Sequence, residues 1–213
     1  MKILLIILGV GISYLIGAIP TAYIFGRLIK KIDIREHGSG NVGATNAIRV
    51  LGKVPGFTVL LIDIVKGILP VSVVADVLGM THVLERVLLA LVVVCGHNWT
   101  VFLNFKGGKG IATSLGVLIG LTIEIAVIRP VLLATVIVWL VCFLVTGYVS
   151  FSSIIAAVAL PLEMVFTHQA IEIICLGIIF CLFVALRHRP NIQRLLAGQE
   201  SRINTPFRKL FKL

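Results

Sequence analysis

The chain has 213 residues, 59% of them hydrophobic and 13% charged, with a formal net charge of +10. Soluble domains carry roughly 25% charged residues, so the polar surface is too small to cover a water-soluble globule, and an integral membrane protein is the class that remains. Nucleic acid is not indicated by the positive balance, because the basic residues lie between apolar runs instead of forming one patch, the pattern of cytoplasmic anchoring charge.

A membrane span needs roughly 17–25 apolar residues. Seven segments are candidates: 3–25, 54–77, 84–102, 111–128, 130–146, 150–166 and 170–186. The first follows Met1-Lys2 and looks like a signal peptide, but it is too long, and its basic flank (Arg27, Lys30, Lys31, Arg35) comes after it. It therefore reads as an uncleaved anchor that inserts with its N-terminus outside. With that orientation, fifteen of the nineteen lysines and arginines fall on the cytoplasmic side, in 27–53, in 103–110 and from Arg187 onward. Six spans would put the basic tail on the wrong side. The expected fold is thus an all-α membrane protein of seven transmembrane helices, with the C-terminus cytoplasmic and short interfacial helices on the cytoplasmic face. Residues 1–200 read as one domain, and 201–213 as a basic tail that anchors to the surface.

Three polar islands interrupt the apolar pattern, and the topology puts all of them on the cytoplasmic face. The first runs from His37 to Arg49. Its glycines let the backbone turn its amides inward, and Ser39, Asn41, Thr45 and Asn46 add side-chain donors, as in an anion-binding concavity. A helix over 44–51 would place Ala44, Ala47, Ile48 and Leu51 on one face and Thr45, Asn46 and Arg49 on the other. The spacing Gly38-x-Gly40-x-x-Gly43 is formally a dinucleotide fingerprint, but a membrane helix and a charged loop precede it instead of a strand, which excludes that reading. The second island, 96–110, ends in Lys106-Gly107-Gly108-Lys109-Gly110 ahead of a helix. It lacks the Ser or Thr of a Walker loop, yet paired glycines with two lysines at a helix start suit an anion. His97 alone reads more readily as a hydrogen-bonded core histidine than as a catalyst. The third island spans 187–200. There Pro190 suits the first turn of a new helix and Gly198 its end, while His188 and Asn191 lie where unneeded polarity is penalised.

Inside the second span, Asp63 and Lys66 are spaced i, i+3 and can pair; intramembrane ions are functional candidates, and a self-satisfying structural pair is the sober alternative. Cys95, Cys142, Cys175 and Cys181 lie in apolar segments without CxxC or histidine at ligand spacing. They are expected to be buried free thiols, with no disulfide and no metal site.

Together the islands carry a resemblance. Ser39-Gly40-Asn41-Val42-Gly43-Ala44-Thr45-Asn46 with Arg49, Leu51 and Gly52 resembles motif one of the bacterial acyl-phosphate:glycerol-3-phosphate acyltransferases, the PlsY family. Gly96-His97 with Phe102, Leu103, Phe105 and Lys106 to Gly110 resembles motif two. Arg187-His188-Arg189, Asn191-Ile192, Arg194-Leu195, Gly198 and Glu200 resemble motif three, and Asp63, Lys66, Gly67 and Pro70 fit the second span. The resemblance implies a seven-span inner-membrane enzyme that transfers a fatty acyl group from acyl phosphate to glycerol 3-phosphate, giving lysophosphatidic acid and phosphate. It implies that Ser39 and Arg49 are essential, that Gly107, Gly108 and Gly110 matter for glycerol 3-phosphate binding, that His188 and Asn191 matter for activity, and that Glu200 matters for structural integrity.

The physical reading agrees with that chemistry. An acyl phosphate is a mixed anhydride whose phosphate leaves readily, so positioning and charge stabilisation suffice. No His-x-x-x-x-Asp pair and no GxSxG elbow is present, which favours direct attack by the glycerol hydroxyl without an acyl-enzyme. Catalysis is assigned to Ser39, Arg49, His188 and Asn191. Ser39, Gly40, Asn41 and Asn191 are assigned to acyl phosphate, and Arg49, Lys106, Gly107, Gly108, Lys109 and Gly110 to glycerol 3-phosphate, with Lys109 favoured over Lys106 as the phosphate contact. Structural roles fall to Glu200, Asp63 and Lys66. The base is either His188 or a substrate phosphate oxygen. No cofactor, nucleic acid or obligate protein partner is expected; the partners are the two substrates and membrane lipid. The competing class is a transporter of a small organic phosphate, which one-sided islands and the lack of an internal repeat disfavour. A phosphotransferase acting on CDP-linked alcohols would need an Asp-rich metal motif that the chain lacks.

Overall fold

The computed structural model describes residues 1–205, and among them every regular element is helical. The chain divides into two compact units, Met1–Glu124 and Ile125–Leu213.

In the first unit the run expected as one span over 3–25 is two helices, α1 (Lys2–Ala18) and α2 (Thr21–Phe25), followed by a π turn at Gly26–Lys30. Pro20 is the cause: its nitrogen has no proton for the preceding turn, so the helix parts there. The carbonyls left at the break find side chains, Ala18 accepting from the Thr100 hydroxyl at 2.6 Å and Ile19 from the Lys66 ammonium at 3.0 Å. After the loop come α3 (Ala44–Leu51), as expected from its pattern, and α4 (Lys53–Leu69). Helix α4 passes through a π turn at Pro70–Val74 into α5 (Ala75–Val77). The Val71 carbonyl in that turn accepts from the buried Arg86 guanidinium at 2.6 Å, which also pairs with Asp76 at 2.6 Å and Glu124 at 3.3 Å. Helices α6 (Val83–Asn98) and α7 (Ile111–Glu124) complete the unit.

Helix α1 packs on α6, and α4 on α7. Small residues let the backbones touch, as is usual between helices in lipid. A Cβ on Gly17 would meet the Val93 carbonyl, and one on Gly96 the Tyr14 carbonyl; Gly67 and Gly116 do the same for α4 and α7.

The second unit holds α8 (Arg129–Thr146), α9 (Val149–Phe166), α10 (Ile171–Arg187) and α11 (Arg189–Leu196). Helix α9 packs between α8 and α10. Residues 201–205, expected as the start of a surface anchor, instead close on the carboxyl end of α8. Arg202 Nε donates to the Thr146 carbonyl at 2.8 Å, the Ile203 amide to Gly147 at 2.9 Å, and the Thr205 hydroxyl to Leu144 at 2.6 Å. The tail's remaining basic residues, Arg208, Lys209 and Lys212, lie outside the described residues.

Among the described residues five helical runs are long and apolar enough to cross a membrane: Lys2–Lys30, Lys53–Val77, Val83–Leu103, Ala126–Thr146 and Val149–Phe166. Ile171–Arg187 adds a sixth when joined to Arg189–Leu196 across a 61° bend. Helix α7 has 14 residues, roughly 21 Å of rise. The segment expected over 111–128 stops at Glu124 and continues as a 3₁₀ turn at Ala126–Ile128. Large apolar side chains such as Leu4, Ile7, Leu133, Leu162 and Leu182 point outward, which in water would be an aggregation surface and in lipid is the solvated face. The same outward faces correct the expectation for the cysteines: all four are free, none is fully buried, and Cys175 is exposed.

The α1–α6 contact yields a test. Gly96→Val should lower the stability of the detergent-purified protein by about 3 kcal/mol, read as a fall in unfolding temperature, because its side chain has only main-chain atoms of α1 to displace.

Candidate functional site

Motif one is a loop folded back on α3. Asp33 starts it: its carboxylate accepts from the Arg35 amide at 3.0 Å, and from Arg35 Nε at 3.0 Å and Nη2 at 2.6 Å. The Arg35 guanidinium and that of Arg27 each lie 5.3 Å from the Tyr23 ring. The hydrogen bond from Arg35 is the main reason the Asp33 carboxyl is held down at about 2 against an ordinary 3.8. Gly38 and Gly40 then turn with φ of +63° and +70°, a region that side chains resist. Asn46 fastens the turn. Its Oδ1 accepts from the Ser39 amide at 2.8 Å, and its Nδ2 donates to the carbonyls of His37 at 3.0 Å and Ile34 at 3.3 Å. This corrects the expected helix face: Asn46 is buried beside Ala47 and Leu51, while Thr45 and Arg49 are exposed. An amide that satisfies three main-chain groups of its own loop is worth more inside than out. Ser39 lies exposed at the tip, and the Arg49 side chain passes close to Gly38.

Motif two crosses the end of α6. The Gly107 amide donates to the Asn98 carbonyl at 3.2 Å and the Gly108 amide to the His97 carbonyl at 3.0 Å. These amides therefore cap orphan carbonyls of a helix end, a role that the reading of the island as an anion concavity did not include. A Cβ at Gly108 would collide with the His97 imidazole, so the glycines are required for close approach. Leading into them, Asn104 and Phe105 both adopt left-handed conformations, with φ of +52° and +61°, each costing on the order of 1 kcal/mol. Lys106 is exposed, whereas Lys109 is partly buried between Gly108 and Gly110.

The first unit gathers these parts around a small pocket. Val42 from motif one, His97, Gly107 and Gly108 from motif two, Thr100, and the chain break at 18–21 all line it, together with Lys66. Lys66 and Asp63 are 2.8 Å apart and both buried; Thr21 donates to the same carboxylate oxygen at 3.0 Å, and His97 Nδ1 stands 4.0 Å from it. Thr21 and the broken turn before it were missed from the sequence. The signal was available: a proline followed by a threonine inside an otherwise apolar run.

Motif three is built within the second unit. His188 ends α10, and its Nδ1 lies 2.9 Å from the Val184 carbonyl. A carbonyl can only accept, so Nδ1 carries a hydrogen directed at it. Pro190 lies in the first turn of α11, and Gly198 turns left-handed beyond its end at φ +67°. That turn brings Glu200 back to accept from Asn191 Nδ2 at 2.6 Å, Ser150 Oγ at 2.7 Å and Arg194 Nε at 2.7 Å. Burial favours the protonated form of Glu200, but these three hydrogen bonds outweigh it and keep the carboxyl below its ordinary value. Among the described residues no three His, Cys, Asp or Glu side chains gather as a metal site.

Residues 6–198 match the model of a protein family described as glycerol-3-phosphate acyltransferase. The chain belongs to the glycerol-3-phosphate acyltransferase family. Among relatives of that name, the protein from Desulforudis audaxviator is 44% identical over 98% of this chain and 100% of its own. The one from Gloeobacter violaceus is 42% identical over 91% of this chain and 93% of its own. Two crystal structures of PlsY, an integral membrane glycerol 3-phosphate acyltransferase, are 36% identical to it. The glycerol 3-phosphate form has a TM-score of 0.85, covering 93% of this chain and 96% of that one. The lysophosphatidic acid form has a TM-score of 0.82, covering 94% and 96%. Family membership makes the chain an integral membrane acyltransferase and sets aside the transport reading.

Two expectations follow from the motif-one loop of this acyltransferase. Asn46→Ala should destabilise it by about 2 kcal/mol, read as a fall in the unfolding temperature of the purified protein, because the Ser39 turn loses its fastening. For Asp33 the folded-state pKa is depressed, so its contribution to stability is complete above about pH 4 and is lost as pH falls toward 2. Thermal unfolding followed from pH 6 to pH 2 should show Asp33→Asn less stable at the upper end, by about 1 kcal/mol, and level with the parent at the lower.

Proposed function

We propose that the chain transfers a fatty acyl group from acyl phosphate to the 1-hydroxyl of sn-glycerol 3-phosphate, forming lysophosphatidic acid and phosphate. The observation that carries this reading is the pocket in which a buried lysine, the motif-one loop and the Gly107-Gly108 loop converge, in a chain whose solved neighbours are named for a glycerol 3-phosphate form and a lysophosphatidic acid form. The membrane arrangement is proposed to be seven spans. The bent pair Ile171–Arg187 and Arg189–Leu196, taken as one span, and the short Ile111–Glu124 make up the count beyond the five long runs. The N-terminus is outside and the site faces the cytoplasm at the bacterial inner membrane, as the distribution of lysine and arginine favours.

In the proposed reaction the glycerol 1-hydroxyl attacks the acyl carbonyl carbon. The bond from that carbon to the bridging phosphate oxygen breaks, and the hydroxyl proton passes to an oxygen of the departing phosphate. No acyl-enzyme forms, which agrees with a serine at an exposed loop tip that has no base hydrogen-bonded to it in the motif-one geometry. Ser39, Gly40 and Asn41 of the first unit are assigned to the acyl phosphate; Asn191, in the second unit, carries the same assignment from its resemblance to motif three. Arg49, with Lys109 in preference to the exposed Lys106, holds glycerol 3-phosphate, and Gly107, Gly108 and Gly110 shape the loop that presents the lysine. Glu200 fixes the Asn191 amide with Nδ2 bound, and His188 contributes Nε2 as a hydrogen-bonding group.

The test is purified protein given palmitoyl phosphate and labelled glycerol 3-phosphate, without CoA. Labelled lysophosphatidic acid is expected, and no lasting acyl adduct on Ser39 by mass spectrometry; such an adduct would refute direct attack. Arg49→Ala should reduce kcat/KM for glycerol 3-phosphate by about 100-fold or more, the loss of a charge-assisted phosphate contact.

A further inference from the structure

Lys66 carries more than a structural pair requires. Its ammonium has three N–H donors, of which one reaches Asp63 Oδ1 at 2.8 Å and a second the Ile19 carbonyl at 3.0 Å. An i, i+3 partner on the same helix would satisfy the charge alone. Here Asp63 is itself held from another element by the Thr21 hydroxyl at 3.0 Å, and Lys66 is drawn away from its own helix toward the break at Ile19. The residue is 4% exposed, and what it lines is the pocket, together with Gly107, Gly108 and His97. A charge at this depth in a span is rare unless it is used, and both proposed substrates carry a phosphate.

We infer that Lys66 donates its remaining N–H to a substrate phosphate in this pocket, with Asp63 and Thr21 as positioning residues that supply the counter-charge and set the direction of the ammonium. The inference rests on the reading of the chain as an acyl-phosphate-dependent acyltransferase. The phosphate is that of the acyl donor or of glycerol 3-phosphate, and the two give different kinetics.

Removing Lys66 alone would leave the Asp63 carboxylate unpaired and buried, so the informative variant is Asp63→Asn/Lys66→Met, which removes both charges. The measurements are the KM for palmitoyl phosphate, the KM for glycerol 3-phosphate, and the inhibition constant and thermal protection given by inorganic phosphate. The expected result is a folded double variant in which phosphate inhibits and protects about tenfold less well, with one KM raised by a similar factor, as befits the loss of a charged hydrogen bond. The substrate whose KM rises is the one Lys66 holds. Lys66→Arg should recover part of the loss. A folded double variant with both KM values and the phosphate constants within twofold of the parent would overturn the inference and leave the pair structural. Should the double variant not fold, Thr21→Val, which removes one of the two bonds that hold Asp63 while keeping both charges, carries the same comparison with a smaller expected change. Failure of the parent to turn over palmitoyl phosphate would defeat the functional reading instead, while phosphate protection lost with Lys66 would still reveal the anion site.

Discussion

Main-chain carbonyls in a membrane have no water to bond to, and each one left open costs several kcal/mol. Pro20 opens the first span at a point where that cost has to be met from elsewhere in the chain. It is met by Thr100 on the Ala18 carbonyl and by Lys66 on the Ile19 carbonyl. Those two bonds tie the break to the segment just past the end of α6 and to the last turn of α4. Lys66 then needs Asp63, and Asp63 takes Thr21. A single missing N–H is thereby linked to a buried ion pair and to the pocket in the first unit.

The same demand shapes the rest of the site. The orphan carbonyls at the end of α6 are capped by the Gly107 and Gly108 amides, so the motif-two loop is anchored by the helix it leaves. The π turn after Pro70 hands the Val71 carbonyl to Arg86. In the second unit Glu200 gathers three donors, one from α9 and two from α11, and so fixes the Asn191 amide. Polar groups in this protein are placed less by solvent than by the need to close main-chain valences in a medium without water.

Much of this was legible in the sequence, and what was not has a common cause. The apolar segments, α3, the turn at Pro190 and the end at Gly198 follow from local periodicity and from residues whose backbone preferences are strong. The three motifs were recognisable because small and charged residues stand out against an apolar background. The first-span break was missed because hydropathy averages over Pro20, and the shortness of α7 because Ile125 to Ile128 are apolar without being α-helical. Asn46 was assigned to the wrong face because an amphipathic wheel counts every polar side chain as outward, whereas this one bonds to its own loop. The cysteines were expected inside for the converse reason, since an apolar position in a membrane protein is as readily lipid-facing as buried.

The closure of residues 201–205 on α8 has a consequence for how the protein is made. The carbonyls of Leu144, Thr146 and Gly147 receive their partners from residues 56 to 61 positions later in the chain. Helix α8 therefore leaves the translation and insertion machinery with its carboxyl end unfinished, and α9, α10 and α11 must all follow before the capping segment exists. The second unit is complete only when the stretch through Thr205 is available, and until then interfacial water has to solvate that helix end.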